Sequence, residues 1–306
     1  MTMVGTLARD YLRMSEVDEK RWLGWMPVLF VLLWSTGFVA AKYGMPYAPP
    51  AGFLAWRFVL VLLLLLPLIL WLQAPWPQSR AQLIHLAVVG VLMQAGYLGG
   101  CFGAINAGMS AGLTALIVGM QPILTALAAA PMLGERVSPR QWGGLVLGLG
   151  GTALVVANKI QVTGLTAAAI GFAVLGLVTI TAGTIYQKRY AGHFDLRTGA
   201  FVQFAAAALV MIPFALAESR PVLWTPTLVA SMSWLVVGLS IFTIGVLAIL
   251  IRRGAATSVA SLFYLVPPVT ALLGFAMFDE ALSGLAMVGM AVSVVGVALV
   301  VRPPVR

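Results

Sequence analysis

Charge is what this chain has least of. Asp and Glu together number 9 in 306 residues, Lys and Arg 18, and charged residues make up 9% of the whole. Soluble domains average about 25%, so this chain cannot cover a water-facing surface of ordinary size. Histidine occurs only as His85 and His193, and cysteine only as Cys101. One cysteine excludes an intrachain disulfide, and this set offers no cluster with metal-ligand spacing. No glycine-rich phosphate loop occurs, so ATP hydrolysis has no site. No Asp or Glu falls in the middle of an apolar run, so a proton relay through a bilayer centre has no visible carrier.

What remains is apolar: 61% of the residues, with a mean hydropathy of +1.01. A hydrocarbon core of ~30 Å takes ~20 apolar residues to cross as a helix. Ten windows fit, at 24–44, 52–72, 82–105, 111–132, 140–157, 165–187, 198–217, 226–250, 256–278 and 284–301. They leave loops of a few residues and no room for a soluble domain. The first 22 residues are polar, without the apolar stretch of a cleavable signal peptide. Within them Met3, Leu7, Tyr11 and Met14 recur at helical spacing, which suits either a short interfacial helix or a frayed tail.

The second half repeats the first. Shifted by 145 positions, Ala111–Val156 falls on Ala256–Val301 without a gap, and fifteen of 46 positions are identical. Pro122 lands on Pro267, Glu135 on Glu280 and Ser138 on Ser283. Repeats with an odd number of spans have opposite orientations in a membrane, a common build for secondary transporters. The expected architecture is an all-α membrane protein of ten transmembrane helices in two inverted five-helix repeats. Residues 1–23 form a cytoplasmic segment, 24–157 the first repeat, 158–301 the second and 302–306 a tail.

The net charge of +9 follows loop order. With the N-terminus inside, fourteen basic residues fall on the cytoplasmic side, including Arg80, Arg136, Lys188, Arg197 and Arg252. Three fall outside: Lys42, Lys159 and Arg220. That bias predicts cytoplasmic termini and makes nucleic acid an unsuitable partner, because a nucleic-acid site clusters its charge.

Two strings look enzymatic. Gly108-Met109-Ser110-Ala111-Gly112 spells a nucleophile elbow, which needs a strand, a helix and a nearby histidine. Here it joins two spans, and both histidines belong to the opposite side; Ser110 reads as a helix cap. Gly148–Ala153 spells a dinucleotide fingerprint inside a span, where Gly144, Gly148 and Thr152 instead form a close-packing face. No catalytic residue is expected, and no enzyme.

Gln121-Pro122 in mid-span, Leu133-Gly134-Glu135-Arg136 at its end and Gln141-Trp142-Gly143-Gly144 opening the next span form one set of motifs. Pro267, Phe278-Asp279-Glu280 and Met287-Val288-Gly289 answer them in the second copy. With Trp34–Phe38, Trp56-Arg57-Phe58 and Ala104-Ile105-Asn106, the chain resembles the drug/metabolite transporter superfamily, in its ten-span EamA-type branch, over nearly its whole length. Within it the chain resembles exporters of aromatic amino acids. The resemblance implies a bacterial inner-membrane exporter working by alternating access, with spans one to four and six to nine around a central cavity. It implies no cofactor. The half-sized relatives that pump lipophilic cations use a carboxylate in span one, which this chain lacks.

Candidate lining residues are polar or aromatic groups in mid-span: Trp34 and Phe38, Met93 and Tyr97, Gln121, Thr179 and Gln187, Ser261 and Tyr264. Ordinary helix packing is the alternative for each aromatic. Arg57 is the one charge well inside a span; it either snorkels or pairs structurally, or meets a substrate carboxylate. Pro122, Pro267 and Pro268 free carbonyls four residues earlier, as hinges or as plain kinks. Phosphate-bearing cargo wants several cations in the cavity, which are missing. A zwitterionic or neutral solute fits, an apolar amino acid foremost. A purine or vitamin carrier is the alternative, and an intramembrane enzyme the alternative of another class. Other expected partners are membrane lipid and, at most, a second copy in a weak homodimer; a monomer fits equally.

Overall fold

The computed structural model describes residues 16–157, 166–191, 194–278 and 282–301. The segment carrying Met3, Leu7, Tyr11 and Met14, together with Lys159, His193, Asp279, Glu280 and the tail 302–306, lies outside the described residues. Among the described residues there is no strand. The first half runs α1 (Glu16–Gly44), α2 (Pro50–Trp71), α3 (Arg80–Gly90), a π-helical segment (Val91–Gly96), α4 (Tyr97–Asn106), α5 (Ala111–Val118), α6 (Gln121–Leu133) and α7 (Pro139–Val156). The second runs α8 (Ala167–Tyr190), α9 (Leu196–Ala217), α10 (Pro226–Trp234), a second π-helical segment (Leu235–Thr243) and α11 (Ile244–Arg253). It ends in α12 (Ala256–Ser261), a 3₁₀ turn (Leu262–Leu265), α13 (Val266–Phe278) and α14 (Gly284–Val301).

Nine helical stretches among the described residues are long and apolar enough to cross a membrane. The window at 140–157 is helix α7, of similar length to α14 but less apolar because it opens on Pro139, Arg140 and Gln141. Helix starts are marked chemically. Ser79, Ser110, Ser138, Thr166, Asp195 and Thr225 each accept a first-turn N–H through a side-chain oxygen, which satisfies donors the helix cannot. Ser110 is thus the cap its sequence suggested, and Ser138 with Gln141 completes a capping box.

The internal repeat is visible in the element boundaries. Helices α12, α13 and α14 begin 145 residues after α5, α6 and α7, at 256, 266 and 284 against 111, 121 and 139. Earlier helices correspond at an offset of 146: Phe58 pairs in space with its counterpart Phe204, their rings 5.7 Å apart between α2 and α9. Contacts obey the same exchange. Leu239 packs on Gly37, where an added Cβ would lie 2.1 Å from its side chain, and Met93 packs on Gly183, where the figure is 2.4 Å. Both third helices carry a π segment, and both fourth helices break just before their prolines.

Helices α7 and α14 cross at glycines. A Cβ on Gly144 would stand 2.6 Å from the Gly296 oxygen, and one on Gly289 2.6 Å from the Gly151 oxygen. Low residue numbers of one helix therefore meet high numbers of the other, so the pair is antiparallel, and only glycine permits backbones this close. Two large apolar cores result. One surrounds Trp34, Tyr97 and Tyr264, and the other joins α2 to α9 around Phe58 and Phe204.

Candidate functional site

Trp34 of α1 stacks tilted on Phe30 and edge-on to Phe263 of the 3₁₀ turn, with centroids 5.2 Å away in each case. Tyr97 of α4 is buried within hydrogen-bonding reach of Trp34 and electrostatic reach of Arg57. Met93 lies one turn before Tyr97 in the same core. Residues of α1, α2, α4 and the first π-helical segment are thus neighbours. Phe38 lies in α1, with its side chain outside the described residues.

Arg57 does not snorkel. It is 4% exposed, and its Nε donates to the Ser240 hydroxyl at 2.9 Å. Ser240 belongs to the second π segment. A π turn inserts extra residues relative to the 3.6 period, so face assignments carried through span eight by helical spacing miss it. That is why sequence periodicity did not find this partner.

Gln121 heads α6 immediately after the break at Gly119–Met120, and its Nε2 donates to the Thr184 hydroxyl of α8 at 3.4 Å. Gln187 is buried one turn further along α8. Thr184, like Ser240 and Phe263, was not singled out from the sequence. Three further candidate groups make local contacts. Thr179 donates to Leu175 O at 2.7 Å, within its own helix. Ser261 donates to Ser258 O at 2.8 Å. The Tyr264 ring lies against Gly148 of α7, with its hydroxyl sealed and without a partner, so the partner its depth called for is absent.

The prolines sit where the helices change character. Pro122 occupies the first turn of α6, where its missing N–H is no loss. Pro267 and Pro268 open α13 after the 3₁₀ turn. Ser35 of α1 donates to Val31 O at 2.7 Å and reaches Val266 O at 3.4 Å, touching the second break.

One end of the bundle is cross-tied. Gly134 adopts φ +71° and closes α6 in a left-handed cap, which turns Glu135 toward α12. Its carboxylate accepts from Ala256 N–H at 2.9 Å and pairs with Lys188 of α8. Lys188 also donates to Gly254 O, and Arg189 to Met132 O at 2.7 Å. His85 and the Tyr186 hydroxyl lie 2.7 Å apart, with Tyr190 stacked on the imidazole. Among the described residues no group of three or more His, Cys, Asp or Glu could hold a metal.

Comparison with known proteins places this geometry. A family model described as the EamA-like transporter family matches residues 21–157 and again 167–302. A probable amino-acid metabolite efflux pump of Escherichia coli (strain K12) is 27% identical over 289 residues, covering 89% of this chain and 92% of that protein. A probable terminal-alkyne amino-acid exporter of Streptantibioticus cattleyicolor is 28% identical, covering 91% of this chain and 93% of its own length. A solved crystal structure shares the fold with a TM-score of 0.74 at 20% identity, over 90% of this chain and 95% of that one.

Proposed function

The chain belongs to the EamA-like transporter family, and from that premise we propose that it exports amino acids with apolar or aromatic side chains by alternating access. It is a multi-pass membrane protein, and small-molecule transport rather than catalysis is what its family does. In this reading ten helices, α7 included, span a bacterial inner membrane as two inverted five-helix repeats. The basic end, with both termini, faces the cytoplasm. The relatives named above as a probable amino-acid metabolite efflux pump and a probable terminal-alkyne amino-acid exporter support an amino-acid-related substrate.

The observation that carries the mechanism is the paired interruption of the fourth helices. The α5–α6 break precedes Pro122, and the α12–α13 turn precedes Pro267 and Pro268, at equivalent places in the two halves. Elements with two arrangements are what rocking needs, and these three prolines are the hinges of our reading. The lining is Trp34, Phe38, Arg57, Met93, Tyr97, Gln121 and Gln187, a set suited to a ligand with an apolar body and a few polar handles. Thr179, Ser261 and Tyr264 contribute packing behind it. With no mid-span carboxylate, transport follows the solute gradient.

Counterflow of labelled amino acids in proteoliposomes tests this directly. Phenylalanine, tryptophan and leucine should exchange without an imposed proton gradient. Exchange of a purine or vitamin, with no amino acid moving, would replace the substrate class. For the hinge, Pro267→Ala with Pro268→Ala should keep or raise the melting temperature and slow exchange about tenfold, a barrier increase near 1.4 kcal/mol. Unchanged exchange would remove the hinge.

A further inference from the structure

Among the described residues no carboxylate neutralises Arg57. Eight positions into α2 it is almost wholly buried, and guanidinium stays ionised. Such a group ordinarily has a carboxylate beside it, because a lone buried cation is costly. Among the described residues the ion pairs are Lys188 with Glu135 and Arg197 with Asp195, both at the basic end. Arg57 has only the Ser240 hydroxyl, held through Nε, and a neighbouring Tyr97. Its two Nη groups are not among the sealed, unpartnered atoms. One edge of the fork is therefore fixed, and among the described residues no side chain bonds the other.

The internal repeat provides a control. At the offset of 146, Arg57 corresponds to Gln203 and Ser240 to Gln94, and both glutamines are buried. The contact between the second helix of one half and the π segment of the other is made in both halves. In one it carries two neutral amides and in the other a cation. Packing at this crossing thus does not require charge, and the arginine answers to something else.

We infer that Arg57, oriented by Ser240, is the anchor for the carboxylate of the transported solute. This rests on the exporter reading above and deepens it by naming the recognised group. Guanidinium and carboxylate match as a two-point fork, with two parallel N–H···O bonds. The bound carboxylate supplies the missing counter-charge. Trp34 and Tyr97, adjoining the same space, offer aromatic faces to the solute's side chain. Ser240 is a positioning residue: it holds Nε so that both Nη groups face the solute. The recognised class is an α-amino or other small monocarboxylic acid with an apolar body.

The test compares solutes that differ only in the carboxylate, using the full-length protein in proteoliposomes. Tryptophan should exchange, and tryptamine and tryptophanamide should be rejected by about 100-fold or more, as expected where a site built for a hydrogen-bonding group meets an analogue lacking it. Arg57→Gln copies the residue at the equivalent position, so it should fold. It should slow tryptophan exchange at low concentration by about 100-fold and abolish discrimination against the amide. Arg57→Lys should recover part, since it keeps the charge and loses the fork. Ser240→Ala should raise the apparent KM about tenfold at nearly unchanged maximal rate, and Ser240→Thr should restore it. A wild-type protein that carries tryptophan and tryptophanamide alike overturns the anchor and leaves the exporter reading standing. So does an Arg57→Gln variant that discriminates as well as wild type. A protein that exchanges none of the amino acids overturns both.

Discussion

His85, Tyr186 and Tyr190 fill the basic end of the bundle between α3 and α8, where the imidazole bonds one ring and stacks on the other. Moved by 146 residues, those positions are Ser231, Ala40 and Gly44, between α10 and α1 at the opposite end. There Ser231 still bonds across, to Ala40 O, so the crossing is conserved in geometry. The bulk is not. Beside that small trio lies a groove of about 690 Å³, lined among others by Thr36, Tyr43, Thr227, Trp234 and Met277. Equivalent crossings thus carry aromatic bulk in one half and small residues beside a groove in the other. The filled side is also the one that Glu135 and Lys188 tie across three helices. The basic end is thus both filled with aromatic bulk and tied across helices. In a carrier that alternates, both differences must be reversible.

The strongest way to break this contrast is to remove Glu135. Its carboxylate caps α12 and neutralises Lys188, both partly buried. Glu135→Ala leaves an uncapped helix start and an unpaired amine, which together cost about 2 kcal/mol. The melting temperature should fall, and the basic end should open. A cysteine replacing buried Ala191 should then react with a thiol reagent from that side at least tenfold faster than in the parent. Glu135→Gln retains the acceptor for the cap and should fall between. Equal labelling in all three proteins would mean that the cross-tie does not hold this end shut.

A smaller effect should come from exchanging bulk. Tyr186→Ala with His85→Ser gives the basic end the small residues of its counterpart. Large-to-small changes in packed sites cost several kcal/mol when fully buried, but His85 and Tyr186 are only partly buried, so about 1–2 kcal/mol is expected. The same cysteine at 191 should become two- to fivefold more reactive. No change in labelling would assign closure to the ion pair alone.

The all-α membrane class, the cap at Ser110 and the packing role of Gly144 and Gly148 could be read from the sequence, because hydropathy, capping chemistry and glycine spacing are local signals. Pro122 and Pro267 marked the breaks for the same reason. The candidate site was only partly readable. Trp34, Met93 and Tyr97 share one apolar core. Ser240 and Phe263 did not stand out, because a π segment and a 3₁₀ turn shift the faces they occupy. The Tyr264 ring fills the space left by Gly148, 116 positions earlier, a contact no local pattern encodes.

The smallest effect separates a tie across helices from one within a helix. Asp195 also sits at the basic end, but it bonds Arg197 at 2.7 Å and the first-turn N–H groups of its own helix, α9. Partial burial works against its charge, yet the bonds from Arg197 and Thr198 outweigh it and hold the carboxyl below its usual value of 3.8. A depressed folded value means the contribution to stability is complete above the unfolded pKa and is lost as the pH falls through the folded one. Asp195→Asn should therefore destabilise at neutral pH, by no more than about 0.5 kcal/mol for a partly solvated pair whose capping role asparagine retains. As the pH falls through that folded value, wild type and variant should converge. Thermal melts followed from pH 7 down through the acid range measure this. Because the hydrogen bonds of Asp195 stay within its own helix, labelling at position 191 should stay unchanged throughout. A variant that opened the basic end as Glu135→Ala does would erase the distinction between local and cross-helix ties.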